Sequence, residues 1–367
     1  MKTFASDKLK SQLPPLRSRR TISASSEELV EAKFLKSDQF LPLVISPTLE
    51  EVNLVGWAAQ NRDFIATELG KWGGLLFRNF QVSDPAQFEQ FIAAVSGELL
   101  EYRERSSPRS RVKGNIYTST DYPAEQSIFL HNENSYQHAW PMKIFFFCLK
   151  SAAAGGETPL ADVRKVLQRI DPKIRDIFAQ KQVMYVRNFG SGLGLHWHDV
   201  FQTTDKLKVE EYCQNRDIEV EWKNGNCLRT RQVRHAILKH PKTGEKVWFN
   251  HAAFFHISTL DPALRDSLLA EFKESDLPNN TYYGDGTPIE LSVLDEVREA
   301  YRQETVTFPW QEGDILMLDN MLVAHGRSPF VGSRKIAVGM SETYSDSPTV
   351  RQGLKPLPHS WHSVKTD

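Results

Sequence analysis

The chain has 367 residues, a formal net charge of −1, 40% hydrophobic and 25% charged residues, and three scattered cysteines. This is the balance of an ordinary globular protein; it argues against a basic nucleic-acid binder and a disulfide-stapled scaffold, and no apolar run approaches membrane-spanning length. The length allows one large domain or two small ones, and jelly-roll enzymes of this size fold as one unit. A sparse, odd cysteine count fits a reducing compartment, so the expected location is the cytoplasm.

In chain order, residues 1–26 are rich in Lys, Arg and Ser with Asp7 the single acid. Transit peptides share that composition; we read a flexible arm. Residues 27–71 are expected to be helical and connecting, with Val52, Val55, Ala59 and Phe64, Ile65, Leu69 at helical spacing. Residues 73–80 then give a buried strand. Asp84-Pro85 opens a helix, the aspartate as N-cap and the proline at the first helical position. Residues 101–120 form a polar loop with Ser107-Pro108-Arg109 at its tip, either solvated or facing a substrate whose carboxylate Arg109 can meet.

The chain is organised around Phe129-Leu130-His131-Asn132-Glu133-Asn134-Ser135-Tyr136, followed at once by the strand run of residues 142–149. In extended backbone, residues i and i+2 point the same way. His131 and Glu133 would then reach one point from one sheet edge, as two thirds of a 2-His-1-carboxylate Fe(II) site. His325, distant in sequence, is the candidate third ligand. H-x-E alone is a weak signal; the order of the features around it strengthens it.

Next comes Ala154-Gly155-Gly156-Glu157-Thr158-Pro159, a tight turn whose threonine faces either a cavity or its own backbone. Asp162 and Asp171-Pro172 begin helices. Residues 182–260 alternate short strands and turns. They hold a second cluster, His196-Trp197-His198-Asp199, with His251 and His256 beyond. No arginine on a strand follows these in the right place, so they read as structural or substrate-lining, with Trp197, Trp248 and Asn250 as pocket candidates. A helical insertion is expected near 261–304: one helix from Asp261-Pro262 with Leu264, Leu268, Leu269 and Phe272 inward, another opened by a capping box at Ser292. Gly313-Asp314 enters the strand that delivers His325. Arg334, Ile336 and Val338 share a strand face, where an arginine calls for an anion: a structural salt bridge or a bound carboxylate. Residues 27–348 are taken as a single domain, and 349–367 as a tail.

Together these strings resemble the taurine-dioxygenase (TauD/TfdA) superfamily of Fe(II)/2-oxoglutarate-dependent oxygenases. Within it they are most similar to the SyrP-like branch, hydroxylases of non-ribosomal peptide (syringomycin) biosynthesis. The telling segments are Ser106-Ser107-Pro108-Arg109, Ile116-Tyr117-Thr118-Ser119-Thr120, residues 131–141, Gly155-Gly156-Glu157-Thr158-Pro159 and Ala324-His325-Gly326-Arg327. The resemblance implies a mainly β fold with flanking helices around a double-stranded β-helix (jelly-roll) core. It implies Fe(II) on His131, Glu133 and His325, 2-oxoglutarate held by Arg334 and Thr158, and O2 as second co-substrate. The implied reaction hydroxylates an unactivated C–H bond of an amino acid, free or tethered to a peptidyl carrier protein, with release of succinate and CO2. β-Hydroxylation of aspartate is the commonest association. Glutamate stands where the wider superfamily has aspartate, as in this branch; related halogenases lack the carboxylate, so Glu133 favours hydroxylation. Two rivals remain: an oxygenase of the same superfamily that desaturates or cleaves a sulfonate, and a non-catalytic jelly roll, which predicts a broken ligand set.

Overall fold

The computed structural model describes residues 29–100, 111–118, 122–190 and 192–346. The expected arm and tail lie outside these residues, as do Ser107 and Arg109.

An eight-stranded sheet is built from β1 (Val30–Lys36), β2 (Gln39–Pro47), β3 (Gly74–Phe77), β4 (Arg111–Lys113), β5 (Ile116–Thr118), β7 (Trp140–Lys150), β16 (Ile315–Asp319) and β19 (Lys335–Tyr344). Their order is β1-β2-β3-β16-β7-β19-β5-β4, all antiparallel except β2 with β3. The central strand β7 explains the sheet. Met142, Ile144, Phe146 and Cys148 point into one core with Leu316, Leu318, Ile336 and Val338. Phe145 and Phe147 point into another with Ile315, Met317 and Ala337. Both faces are covered, so the sequence reads as an unbroken apolar run instead of an alternating one.

The outer face is covered by α1 (Leu54–Gln60), α2 (Arg62–Trp72) and α3 (Pro85–Ser96), which contribute Leu54, Trp57, Ile65, Leu69, Phe88, Phe91 and Ile92. Asp84 caps α3 as expected, accepting from the Ala86 and Gln87 amides. The inner face meets a small sheet of β6 (Ile128–His131), β17 (Val323–Arg327) and β9 (Leu160–Asp162), in that order. A two-stranded ladder of β8 (Ala154–Gly155) and β18 (Phe330–Val331) lies beside it in sequence. The two facing sheets enclose the inner core in a jelly-roll arrangement.

Further antiparallel strands extend the molecule: β11 (Glu219–Lys223), β12 (Cys227–Arg234), β10 (Val183–Phe189) and β15 (Asn279–Tyr283), in that order, and the hairpin β13 (Ile237–Lys239) with β14 (Lys246–Trp248). The remaining helices are α4 (Val163–Arg169), α5 (Pro172–Lys181), α6 (Trp197–Phe201), α7 (Lys206–Gln214), α8 (Ala252–Phe255), α9 (Pro262–Glu271) and α10 (Leu291–Glu304). Among the described residues, no helix is long and apolar enough to cross a membrane. The three cysteines form no disulfide; Cys148 and Cys213 are buried and Cys227 is half-buried.

Several expectations are corrected. Residues 30–47 are two strands, not helix and connection. The segment 261–304 is not purely helical, because β15 lies inside it and joins the four-stranded sheet. In α9 no residue is buried, and Leu264 and Leu269 are 43% and 40% exposed; Ile257 and Leu277 on either side take the burial instead. The second helix begins at Leu291 without a side-chain cap. Glu290, which occupies the cap position, accepts the Tyr283 hydroxyl.

Candidate metal centre

β17 runs between β6 and β9, and the ladder register sets His325 directly opposite His131. Paired residues on neighbouring strands face the same side, so the rings meet with centroids 4.5 Å apart. Gly326 permits this approach: a Cβ there would lie 2.6 Å from the Ile128 carbonyl oxygen. Glu133 arrives by a different route from the one its spacing predicts. β6 ends at His131, and Glu133 opens a turn in which Asn134 takes a left-handed φ of 58°. The turn brings the Glu133 carboxylate to 4.0 Å from His325 Nε2. Ligand atoms of His131, Glu133 and His325 all lie within 4.8 Å of one another.

His131 Nδ1 lies 2.9 Å from the Phe129 carbonyl. A carbonyl only accepts, so Nδ1 carries the proton and Nε2 keeps its lone pair for a ligand. Phe254 stacks on His131 at 4.7 Å and 9°, and Phe146 meets His325 edge-on at 5.0 Å. Glu133 and His325 are buried while His131 is half-buried, so access is from the His131 side. His251, read as structural or substrate-lining, packs on Tyr136 and Phe255 and stands 5.7 Å from His131. Burial pushes its pKa well below the ordinary histidine value, which keeps the ring neutral.

Arg334 packs on the Gly155-Gly156 turn, and Thr158 follows that turn in sequence. Arg334 precedes β19, and the ladder slips between Lys335 and Ile336, so strict alternation does not carry back to it. Its Nε donates to the Gly156 carbonyl at 2.8 Å, and a Cβ on Gly156 would come within 3.0 Å of its Cδ. Burial, with the neighbouring Arg327 charge, lowers the Arg334 pKa to about 10. Thr158 is buried and its oxygen accepts from Trp310 Nε1 at 3.1 Å. That leaves the hydroxyl proton to donate elsewhere.

Trp197 and Asn250 have other employment. Trp197 lies in a separate small core with Val200, Val209, Cys213 and Leu228, and donates to the Asn226 carbonyl. The Asn250 amide is spent on the Ala236 carbonyl and the Ala252 N–H. Trp248 is a core residue against Phe178. Sequence reasoning gave no role to Arg327, which donates to the Tyr122, Pro123 and Gln126 carbonyls and so ties down the approach to β6. It also passed over Asn320, whose one visible signal was a polar residue in an otherwise apolar stretch just before the distal histidine.

Residues 40–340 match the family described as Taurine catabolism dioxygenase TauD, TfdA family. The chain belongs to that family, and is accordingly a dioxygenase that uses Fe(II) and 2-oxoglutarate. Among curated proteins it is 42% identical over 272 residues to the dapdiamide synthesis protein DdaC of Enterobacter agglomerans, covering 74% of this chain and 83% of that one. It is 26% identical over 328 residues to a clavaminate synthase-like protein of Arabidopsis thaliana, covering 84% and 96%. The fold is shared with PvcB of Pseudomonas aeruginosa, with a TM-score of 0.53 at 13% identity over 87% of this chain and 93% of that one. Another PvcB structure, described as an Fe, alpha-ketoglutarate dependent oxygenase from an isonitrile synthetic pathway, gives 0.52.

Proposed function

We propose that His131, Glu133 and His325 hold Fe(II), that Arg334 binds the distal carboxylate of 2-oxoglutarate and Thr158 hydrogen-bonds the co-substrate, and that the domain hydroxylates an amino-acid-derived substrate in natural-product biosynthesis. The reading rests on one observation, the cross-strand pair His131–His325 with the Glu133 carboxylate turned toward it. Two imidazoles and one carboxylate brought together in this way suit a facial ferrous site. Donors within 4.8 Å can share one ion after movements of about 1 Å, given metal–nitrogen bonds of about 2.1 Å.

When bound, the iron with 2-oxoglutarate and O2 supplies the oxidation: R–H, 2-oxoglutarate and O2 become R–OH, succinate and CO2. The chain's own work is placement. Phe129 holds the His131 tautomer. Arg334 offers its guanidinium to the distal carboxylate, and Thr158 its hydroxyl proton to the co-substrate. Phe254 and Phe146 wall the ligands with apolar surface and limit water. Support for an amino-acid-derived substrate is the 42% identical relative named for dapdiamide synthesis. The carrier-tethered form, in a reducing cytoplasm, belongs to the same proposal.

The test is an anaerobic titration of apoprotein with Fe(II) and then 2-oxoglutarate. Wild type is expected to give a visible charge-transfer band. His131→Ala should lose it, and Arg334→Ala should need at least about 10-fold more 2-oxoglutarate, the loss of a charged hydrogen-bond partner. Folded wild-type protein without a band would sink the ligand assignment. Succinate release with free and with carrier-bound amino acids then separates the two substrate forms.

A further inference from the structure

We infer that Asn320 is the positioning residue for Glu133, setting the distance between that carboxylate and His325; the inference rests on reading Glu133 as a metal ligand. Glu133 lies past the end of β6, so no ladder hydrogen bond fixes its main chain. One side-chain amide does so instead. Asn320 Oδ1 accepts the Glu133 N–H at 2.7 Å, and Asn320 Nδ2 donates to the Glu133 and Pro141 carbonyls, each at 2.9 Å. The main-chain oxygen of Asn320 accepts from Asn132 Nδ2 at 2.7 Å. Its main-chain N–H donates to the Met142 carbonyl at 2.8 Å. Both peptide groups of the ligand residue are therefore held by a side chain that is itself fully buried.

Asn320 is fixed in turn. It sits in the tight connection from β16 to β17, made by Asp319 Oδ1 accepting the Met321 and Leu322 amides at 3.0 and 3.2 Å. Asp319 Oδ2 accepts from His240 Nε2 at 3.1 Å. The tautomer follows from the ring's other nitrogen, because His240 Nδ1 accepts the Lys242 and Thr243 amides. The connection that carries Asn320 runs straight into β17, which carries His325. One rigid turn thus holds one ligand through the strand and another through an amide. Supports of this kind are typically worth about 10- to 100-fold in metal affinity.

A consequence concerns side-chain length. With the main chain at residue 133 clamped, a shorter carboxylate retracts by one methylene, about 1.5 Å, and the backbone cannot follow. Co(II) alone is the probe, titrated into apoprotein and read by its visible d–d absorption, with thermal unfolding of each apoprotein alongside. Asn320→Ser is expected to weaken Co(II) binding about 10- to 100-fold and to change the d–d spectrum. In a Glu133→Ala background the same change should have no further effect, since its action passes through the carboxylate. A folded Asn320→Ser protein with wild-type affinity, or an equal loss with and without Glu133, overturns the inference. Should Asn320→Ser not fold, Glu133→Asp carries the test: affinity close to that of Glu133→Ala supports the clamp, and wild-type affinity overturns it. Glu133→Ala binding Co(II) like wild type would instead remove the ligand reading itself.

Discussion

Thr158 shows how much a single hydroxyl can be asked to do. Its oxygen already accepts from the buried Trp310 indole, so its proton is directed away from that ring. Thr158→Val removes both functions at nearly constant volume. Loss of a hydrogen bond to the co-substrate should raise the 2-oxoglutarate needed for half-formation of the charge-transfer band about 10-fold. The stranded indole N–H should lower stability by about 1–3 kcal/mol. Fe(II) affinity should hold, because Thr158 is no ligand. A fall in stability with unmoved co-substrate affinity would mean the hydroxyl serves Trp310 alone. At this scale the three clustered residues could be picked out because metal coordination restricts residue type and the order of the features around them set His131, Glu133 and His325 apart from the His196-His198 cluster; the structure brings their ligand atoms within 4.8 Å of one another. Asn320 and Arg327 could not be picked out, since what they do depends on which carbonyls and amides a turn presents, and sequence spacing does not show that. Trp197 and Asn250 misled for the converse reason. A tryptophan fills a core as readily as a pocket, and an asparagine serves backbone as readily as substrate.

Two glycines separate the strands that carry the site from the strands that only support it. Gly326 is in β17 and faces β6, and an added Cβ would fall 2.6 Å from the Ile128 oxygen, which is backbone and cannot swing aside. Gly326→Ala should therefore push β6 away, lowering both thermal stability and Co(II) affinity, the latter by about 10-fold or more. Gly339 in β19 faces the helices, where a Cβ would meet Ile92 Cδ1 at 2.6 Å and Leu99 Cδ2 at 2.9 Å. Gly339→Ala should cost about 1–3 kcal/mol of stability and leave Co(II) affinity nearly unchanged. Equal loss of metal binding in both would show that the site tracks global packing and not the β6–β17 contact. The same strands show what could be read from sequence. β7 and β16 announce themselves as apolar runs because both their faces are buried. β1 does not: Glu31, Ala32, Lys33 and Leu35 are ordinary helix formers, and the strand exists because it pairs with β2 from Val30↔Pro47 to Lys36↔Gln39. Tertiary pairing overrode local preference there. In α9 the apolar spacing was real, but the burial went to Ile257 and Leu277 on either side of the helix.

Across the whole molecule the main sheet closes over a buried charge cluster, and its energetics can be tested independently of the metal. Lys143 Nζ lies 2.6 Å from Glu342 Oε1, and Lys242 Nζ lies 3.1 Å from Glu342 Oε2, with Ser96 Oγ 3.1 Å from Lys143. Both Lys143 and Glu342 are almost wholly buried. Burial outweighs the attraction of Glu342 and lowers the Lys143 pKa from 10.5 to about 8. Between those two values the unfolded chain binds the proton that the folded chain has released. The contribution of Lys143 to stability is therefore flat below pH 8 and rises from pH 8 to 10.5. Lys143→Met keeps the volume and leaves Glu342 with Lys242. It should be neutral or stabilising by up to about 4 kcal/mol at pH 7, with the gap to wild type closing as the pH approaches 10.5. Glu342→Gln removes the carboxylate charge 2.6 Å from Lys143 and should cost about 3–5 kcal/mol at pH 7. Urea unfolding of the three apoproteins at pH 7 and pH 10 decides the matter. If Lys143→Met is instead several kcal/mol less stable than wild type at pH 7, with no growth of that deficit by pH 10, the buried cation is a net support of the sheet, and its attraction to Glu342 outweighs the cost of taking it out of water.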